Sequence, residues 1–191
     1  MRPRLQAGYF DALYARDADP WDFGTSEYER AKYDATVAAL DGRRYARALE
    51  VGCSIGVLSE RLAAVCDELL AVDAAQAAAD AARERLRALP HATVECRELP
   101  EAFPAGPFEL IVCSEVLYYL DPAALDATID GLAAALEPGG SLLAVHWRPE
   151  TRTYPLRGDE VHARLAERLG WPAGAHARTE RYVLDRFDRP A

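Results

Sequence analysis

The chain has 191 residues, 50% of them hydrophobic and 28% charged, the make-up of one soluble globular domain with a full core. Its 31 acidic against 22 basic residues leave a formal charge of −9, with the arginines scattered among carboxylates, and such a surface argues against a nucleic-acid partner. No apolar run reaches the ~18–20 residues that span a bilayer, and "MRPRLQAGYF" lacks the apolar core of a secretion signal, so a cytoplasmic protein acting on small molecules, with no membrane partner, is expected.

Residues 1 to about 45 carry Tyr9, Phe10, Tyr14, Trp21, Phe23, Tyr28 and Tyr33. They read as a short helix, a loop pinned by Pro20 and a second helix entered near Thr25 or Ser26, together a cap ahead of the first strand. From there strand and helix alternate. Strands are expected near 47–51, 69–73, 93–96, 109–113 and 141–146, and helices near 56–66, 75–88, 122–136 and 159–169. The runs "LLAVD", "ELIVC" and "SLLAVHW" do not alternate, as in central strands covered on both faces. The expected fold is α/β, a doubly wound, mostly parallel sheet in a single domain, with residues 1–45 as the helical cap and 46–191 as the core. "EPGGSLL" is read as a helix end before a strand, and "ARTERYVLDRFDRP" as a strand pairing at a sheet edge. Cys66 falls at the end of a predicted helix; with Cys53, Cys96 and Cys113 it shows no metal-ligand spacing, so reduced cysteines and no metal are expected.

The chemistry starts at residues 48–63, "ALEVGCSIGVLSERLA". An apolar strand breaks into Gly52-Cys53-Ser54-Ile55-Gly56 and resumes at helical spacing, which is where open α/β sheets hold a nucleotide-like ligand. The spacing is GxSxG behind Glu50 and not GxGxxG. A pyrophosphate needs no carboxylate at that strand end, whereas a ligand with an ammonium group gains from one. The same string could be a hydrolase nucleophile turn, with Ser54, Asp121 and His146 in the required chain order. Asp73 ends the second strand 17 residues after Gly56, placed to accept hydrogen bonds from ribose hydroxyls.

Glu50, Gly52 and Gly56 resemble the first motif of class I S-adenosylmethionine-dependent methyltransferases, acidic-x-Gly-x-Gly-x-Gly, with Ser54 in place of the middle glycine. The resemblance implies S-adenosyl-L-methionine as cofactor, its ribose on Asp73 beside Ala74. It further implies the adenine amino group on Glu98, the next N–H at Leu99 reaching a ring nitrogen, and Ser114 with Glu115 in "FELIVCSEVLYYL" near the methyl-donor end. "DPWDFGTSEYERAKY" and "EVLYYL" are similar to the NodS-like branch, whose named member methylates the nitrogen of an amino sugar; this implies an amine acceptor. On the cap, Trp21 and Arg30 are candidates for a cation–π contact with the sulfonium and a pair with the methionine carboxylate.

Methyl transfer from a sulfonium is an in-line displacement that needs positioning, exclusion of water and, for a protonated acceptor, a base. Such groups are expected at the ends of the fourth and fifth strands, where Glu115, Tyr118 and Tyr119 and the stretch "HWRPETRTYPLRGDEVHARL" fall. His146 and His162 are the candidate bases, with Asp159 as N-cap of the last helix and His162 in its first turn. Glu115 is read as holding either an amine substrate or the cofactor's own ammonium, and Tyr118 as a further catalytic candidate. A small-molecule O-methyltransferase, a non-catalytic cofactor binder and a dehydrogenase are the other readings, for a monomer or a homodimer.

Overall fold

The computed structural model describes residues 2–191, which fall into two compact units. One runs from Gln6 to Glu98; the other combines Leu99–Ala191 with the first residues up to Leu5.

The first unit contains α1 (Ala7–Tyr14), α2 (Glu27–Ala38), β1 (Tyr45–Val51), α3 (Val57–Ala63), β2 (Cys66–Asp73), α4 (Gln76–Leu86) and β3 (Ala92–Cys96). Its strands lie in the order β3-β2-β1, all parallel, with Leu49 opposite Leu70 and Ala71 opposite Val94. The run from Ala48 to Val51 is buried throughout, which is why β1 does not alternate. Helix α2 starts where Ser26 accepts the Glu29 N–H, with Glu27 and Glu29 at the positive end of its dipole. Helix α4 is rich in alanine for a reason of space. Ala78, Ala79 and Ala82 are buried, and a Cβ on Gly56 would lie 3.1 Å from the Cα of Ala82. Cys66 opens β2 instead of closing a helix, because α3 ends at Ala63 and the ladder to Tyr45 begins at Cys66. Its thiol still donates to the Leu62 carbonyl at 3.2 Å, and this i, i+4 contact is what imitates helical spacing.

The second unit contains β4 (Phe108–Ser114), a 3₁₀ turn at Leu117–Tyr119, α5 (Pro122–Ala135), β5 (Leu136–Trp147), α6 (Gly158–Leu169), β6 (Ala173–Arg178) and β7 (Tyr182–Asp188). The strand order is β4-β5-β7-β6, with β4 parallel to β5 and the other pairings antiparallel. Asp121 caps α5 through the N–H groups of Ala123 and Ala124, and Pro122 follows it with no N–H to leave unpaired. The strand expected at an edge, β7, lies between β5 and β6; the edge is β6, an exposed Ala/Gly stretch whose extended form comes from pairing and not from its own propensity. β5 reaches back to Leu136 and takes in "EPGG", with a register shift between Phe108 and Leu110 on β4. Among the described residues no helix is long and apolar enough to cross a membrane, and no group of three or more His, Cys, Asp or Glu side chains could hold a metal ion.

Candidate functional site

In the first unit the turn after β1 has left-handed backbone at every second residue: Gly52 (φ 78°), Ser54 (φ 49°) and Gly56 (φ 81°). Glycine is the easy choice for such a path, and Ser54 takes it at a cost of about 1 kcal/mol or more. Two hydrogen bonds offset that cost. The Ser54 N–H donates to Asp73 Oδ2 at 2.8 Å, and its hydroxyl pairs with the Tyr14 hydroxyl at 2.6 Å. The N–H groups of Gly52 and Cys53 converge on the Val72 carbonyl. Ser54→Ala keeps the strain and loses the hydroxyl, whereas Ser54→Gly loses both. Denaturant unfolding should therefore find the glycine variant within about 1 kcal/mol of wild type and the alanine variant roughly 1–2 kcal/mol below it. The opposite order would mean that the left-handed serine is unstrained.

Two carboxylates stand beside this turn. Asp73, half-buried at the end of β2, accepts from Ser54 with one oxygen and from the Ala75 N–H at 2.9 Å with the other; burial pushes its pKa up despite these bonds. Glu50 is 1% exposed and accepts the Ser59 hydroxyl at 2.5 Å. Burial, with Asp73 nearby, pushes its carboxyl up to about 7 even though the Ser59 bond favours the charged form. Tyr14 was missed in the sequence; its phenol is held far above its usual range by burial and by Asp73, so it stays neutral as a hydrogen-bonding group. Nothing in its spacing points to Ser54, which lies 40 residues on. Trp21 meets Tyr14 edge-on at 5.8 Å and stacks on Phe23 at 5.5 Å, in a loop folded around the Asp19 carboxylate, which accepts from the Phe23 and Gly24 N–H groups. Arg30 is exposed on α2, Ala74 is half-buried, and Glu98 accepts the Ala7 N–H at the start of α1 at 3.3 Å.

In the second unit β4 ends at the buried Ser114, and Leu99 is buried as well. Glu115 follows in left-handed backbone (φ 55°), and its Oε2 accepts both the Trp147 N–H at 2.8 Å and the Tyr118 hydroxyl at 2.6 Å. His146 is fully buried at the end of β5; its Nε2 faces the Leu117 N–H at 3.1 Å and its Nδ1 faces His162 Nε2 at 3.0 Å. His162 Nδ1 faces Asp185 Oδ2 at 2.5 Å, and Asp185 Oδ1 meets His176 Nδ1 at 2.5 Å. The two histidines read as candidate bases are thus together, with both ring nitrogens of each engaged inside the protein.

Asp159 does not cap α6. The helix starts one residue earlier, at Gly158, with Glu160 accepting the Arg157 N–H at 2.7 Å, and His162 is its fifth residue. Gly158 is what sets this start: a Cβ there would fall 2.4 Å from the Trp147 carbonyl oxygen, so the helix comes against the end of β5. Asp159 binds Arg148 and Arg178 instead, and these cations hold its carboxyl below the usual range. Beside this network is a cavity of about 290 Å³ walled by Tyr118, Trp147, Tyr154, Glu150 and Arg2 among others. The Tyr118 and Tyr154 rings stack at 4.8 Å, and the Arg2 guanidinium donates to the carbonyls of Thr151 and Tyr154. As for a hydrolase triad, Ser54, Asp121 and His146 each have other partners: Tyr14, the α5 N–H groups, and Leu117 with His162.

Parallel βα units, a left-handed small-residue turn after β1 and carboxylates at the ends of β1 and β2 define the doubly wound, Rossmann-like methyltransferase fold. The crystal structure of N-methyltransferase NodS from Bradyrhizobium japonicum WM9, in complex with S-adenosyl-L-homocysteine, has a TM-score of 0.87 to this chain at 26% identity, covering 97% of this chain and 98% of that one. A Pseudomonas syringae protein of known crystal structure is 44% identical with a TM-score of 0.77, over 86% of this chain and 100% of that one. The family model described as nodulation protein S (NodS) matches residues 11–152, and the chain belongs to that family. Nodulation protein S of Rhizobium tropici is 34% identical over 127 residues, 65% of this chain and 53% of that protein, so the chain spans about half the length of this curated relative.

Proposed function

We propose that the chain is an S-adenosylmethionine-dependent methyltransferase that methylates the nitrogen of a small amine. The observation that carries the cofactor is Glu50, a carboxyl buried beside a left-handed turn with only the Ser59 hydroxyl on it, where an ammonium-bearing ligand would hold its charge; the amine acceptor is supported by the likeness to N-methyltransferase NodS. S-adenosylmethionine supplies an electrophilic methyl group when bound. In the first unit, Gly52, Ser54 and Gly56 would line its amino-acid end beside Glu50, Asp73 and Ala74 its ribose, and Glu98 its adenine, with Trp21 and Arg30 as further contacts.

The second unit provides what an amine acceptor needs. The Tyr118 hydroxyl gives its hydrogen to Glu115, and its oxygen, which also meets the Tyr119 hydroxyl, would accept from a substrate N–H in this reading. Glu115, fixed by the Trp147 N–H, then takes the Tyr118 proton as Tyr118 takes one from the nitrogen. In this reading Tyr118 and Glu115 are the catalytic residues, and His146 and His162 stand behind them. The cytoplasm, and action on small molecules as a monomer or homodimer, are part of the same proposal, supported by the formal charge of −9 and the free cysteines.

The test is a panel of small primary amines and matched alcohols incubated with S-adenosylmethionine and followed by mass spectrometry. Methylated amines are expected. Turnover of alcohols alone would make the protein an O-methyltransferase, and cofactor binding without turnover of either would make it a binder. Calorimetric titration showing NAD bound more tightly than S-adenosylhomocysteine would overturn the assignment.

A further inference from the structure

We propose that His146, His162, Asp185 and His176 form a single polarised hydrogen-bond relay that fixes the turn carrying Tyr118, each acting as a positioning residue. The polarity follows from one group that cannot reverse. The Leu117 N–H can only donate, so His146 Nε2 at 3.1 Å holds a lone pair and the ring proton sits on Nδ1. That proton points at His162 Nε2, 3.0 Å away, which must in turn be unprotonated. His162 then carries its proton on Nδ1 and donates it to Asp185 Oδ2, while the second Asp185 oxygen accepts from His176. His146 and His162 are buried, Asp185 is half-buried, and at the far end His176 is 55% exposed.

The relay ends on the element that the proposed reaction depends on. Leu117 opens the turn, the Tyr118 ring lies edge-on to His146 at 5.2 Å, and the Tyr118 hydroxyl is tied through Glu115 to the N–H of Trp147, the residue after His146. Consecutive residues of β5 thus hold Tyr118 from two sides. The charged and titratable groups around the pair are Asp185 on β7, His176 on β6, Asp159 on α6 with Arg148 and Arg178, and Glu115 with Tyr118 beside His146.

The relay's role in catalysis rests on the reading of Tyr118 above, but its polarity does not, and the experiment separates the two. Long-range ¹H–¹⁵N spectra of the whole protein at neutral pH, assigned with His91→Gln and His176→Gln variants, report the tautomer of each imidazole. Both His146 and His162 are expected as Nδ1–H forms; an Nε2–H form of either overturns the relay whether or not any amine is turned over. His162→Gln can accept from His146 and donate to Asp185, and it should keep the wild-type His146 tautomer and Leu117 amide shift. His162→Leu leaves the His146 Nδ1–H without an acceptor, so it should move the ring ¹⁵N resonances of His146 and the Leu117 amide shift, and lower kcat/KM for the amine on the order of 10- to 100-fold with S-adenosylhomocysteine affinity unchanged. If the leucine variant does not fold, Asp185→Leu, which leaves the His162 Nδ1–H without an acceptor, offers the same readouts. A Leu117 amide shift that neither variant moves would show the relay to be mere packing and overturn the positioning role.

Discussion

Replacing Glu50 with glutamine should raise the unfolding temperature of the ligand-free protein at pH 8 and at the same time weaken its binding of S-adenosylhomocysteine. The folded carboxyl titrates at about 7 against an ordinary 4.5, so between these values the native state keeps a proton that the unfolded chain has released. Glu50 therefore favours folding fully below pH ~4.5, loses that contribution as pH rises through about 7, and above it stands as a buried charge. Glutamine keeps an oxygen for the Ser59 hydroxyl and removes the charge. The gain at pH 8 is on the order of 2–3 kcal/mol, roughly 4–12 °C in a chain of this size, and it should fall below about 1 kcal/mol near pH 5 and vanish near pH 4. Calorimetry should show binding of the ammonium-bearing ligand weakened about 10- to 100-fold in the variant. In the wild type near pH 6.5, binding should release a fraction of a proton, visible as a heat that depends on the buffer. A variant less stable than wild type at pH 8 would mean that the carboxylate has a cationic partner inside the protein.

The second large effect is expected at Tyr118 and Glu115. In the proposed reaction, Tyr118→Phe removes the hydroxyl that would relay the proton, and Glu115→Gln leaves an acceptor for the Trp147 N–H and the Tyr118 hydroxyl but no base. Each should lower kcat for an amine by about 100-fold, the ordinary worth of general-base assistance, while the affinity for S-adenosylhomocysteine stays within about twofold. Because the two act in series, the double variant should lose little more than either single one. Steady-state kinetics of the four proteins reads this directly, and multiplicative losses near 10⁴-fold would show that the residues act independently.

The elements with strong local chemistry were legible in the sequence: continuous apolar runs for β1, β2, β4 and β5, the entry to α2 at Thr25 or Ser26, of which Ser26 is the cap, and the turn between Glu50 and Gly56. The fold class followed from their alternation. What could not be read depends on distant partners. β6 has too little β propensity to declare itself and is extended because β7 pairs with it. The start of α6 is set by the space between Gly158 and the Trp147 carbonyl, so Asp159, a good capping residue by type, joins two arginines instead. His146 and His162 pair with each other at 3.0 Å, and this tertiary pairing, invisible in the sequence, occupies the nitrogens that a free base would need. Ser54 carried a visible sign, a side chain where glycine is easiest; its partner Tyr14 carried none.

The Arg2 guanidinium, bound to the carbonyls of Thr151 and Tyr154, forms part of the cavity wall in the second unit. The reach of the side chain at position 2 therefore decides how closed that wall is: a residue too short to meet both carbonyls leaves the 151–154 loop untethered on that side.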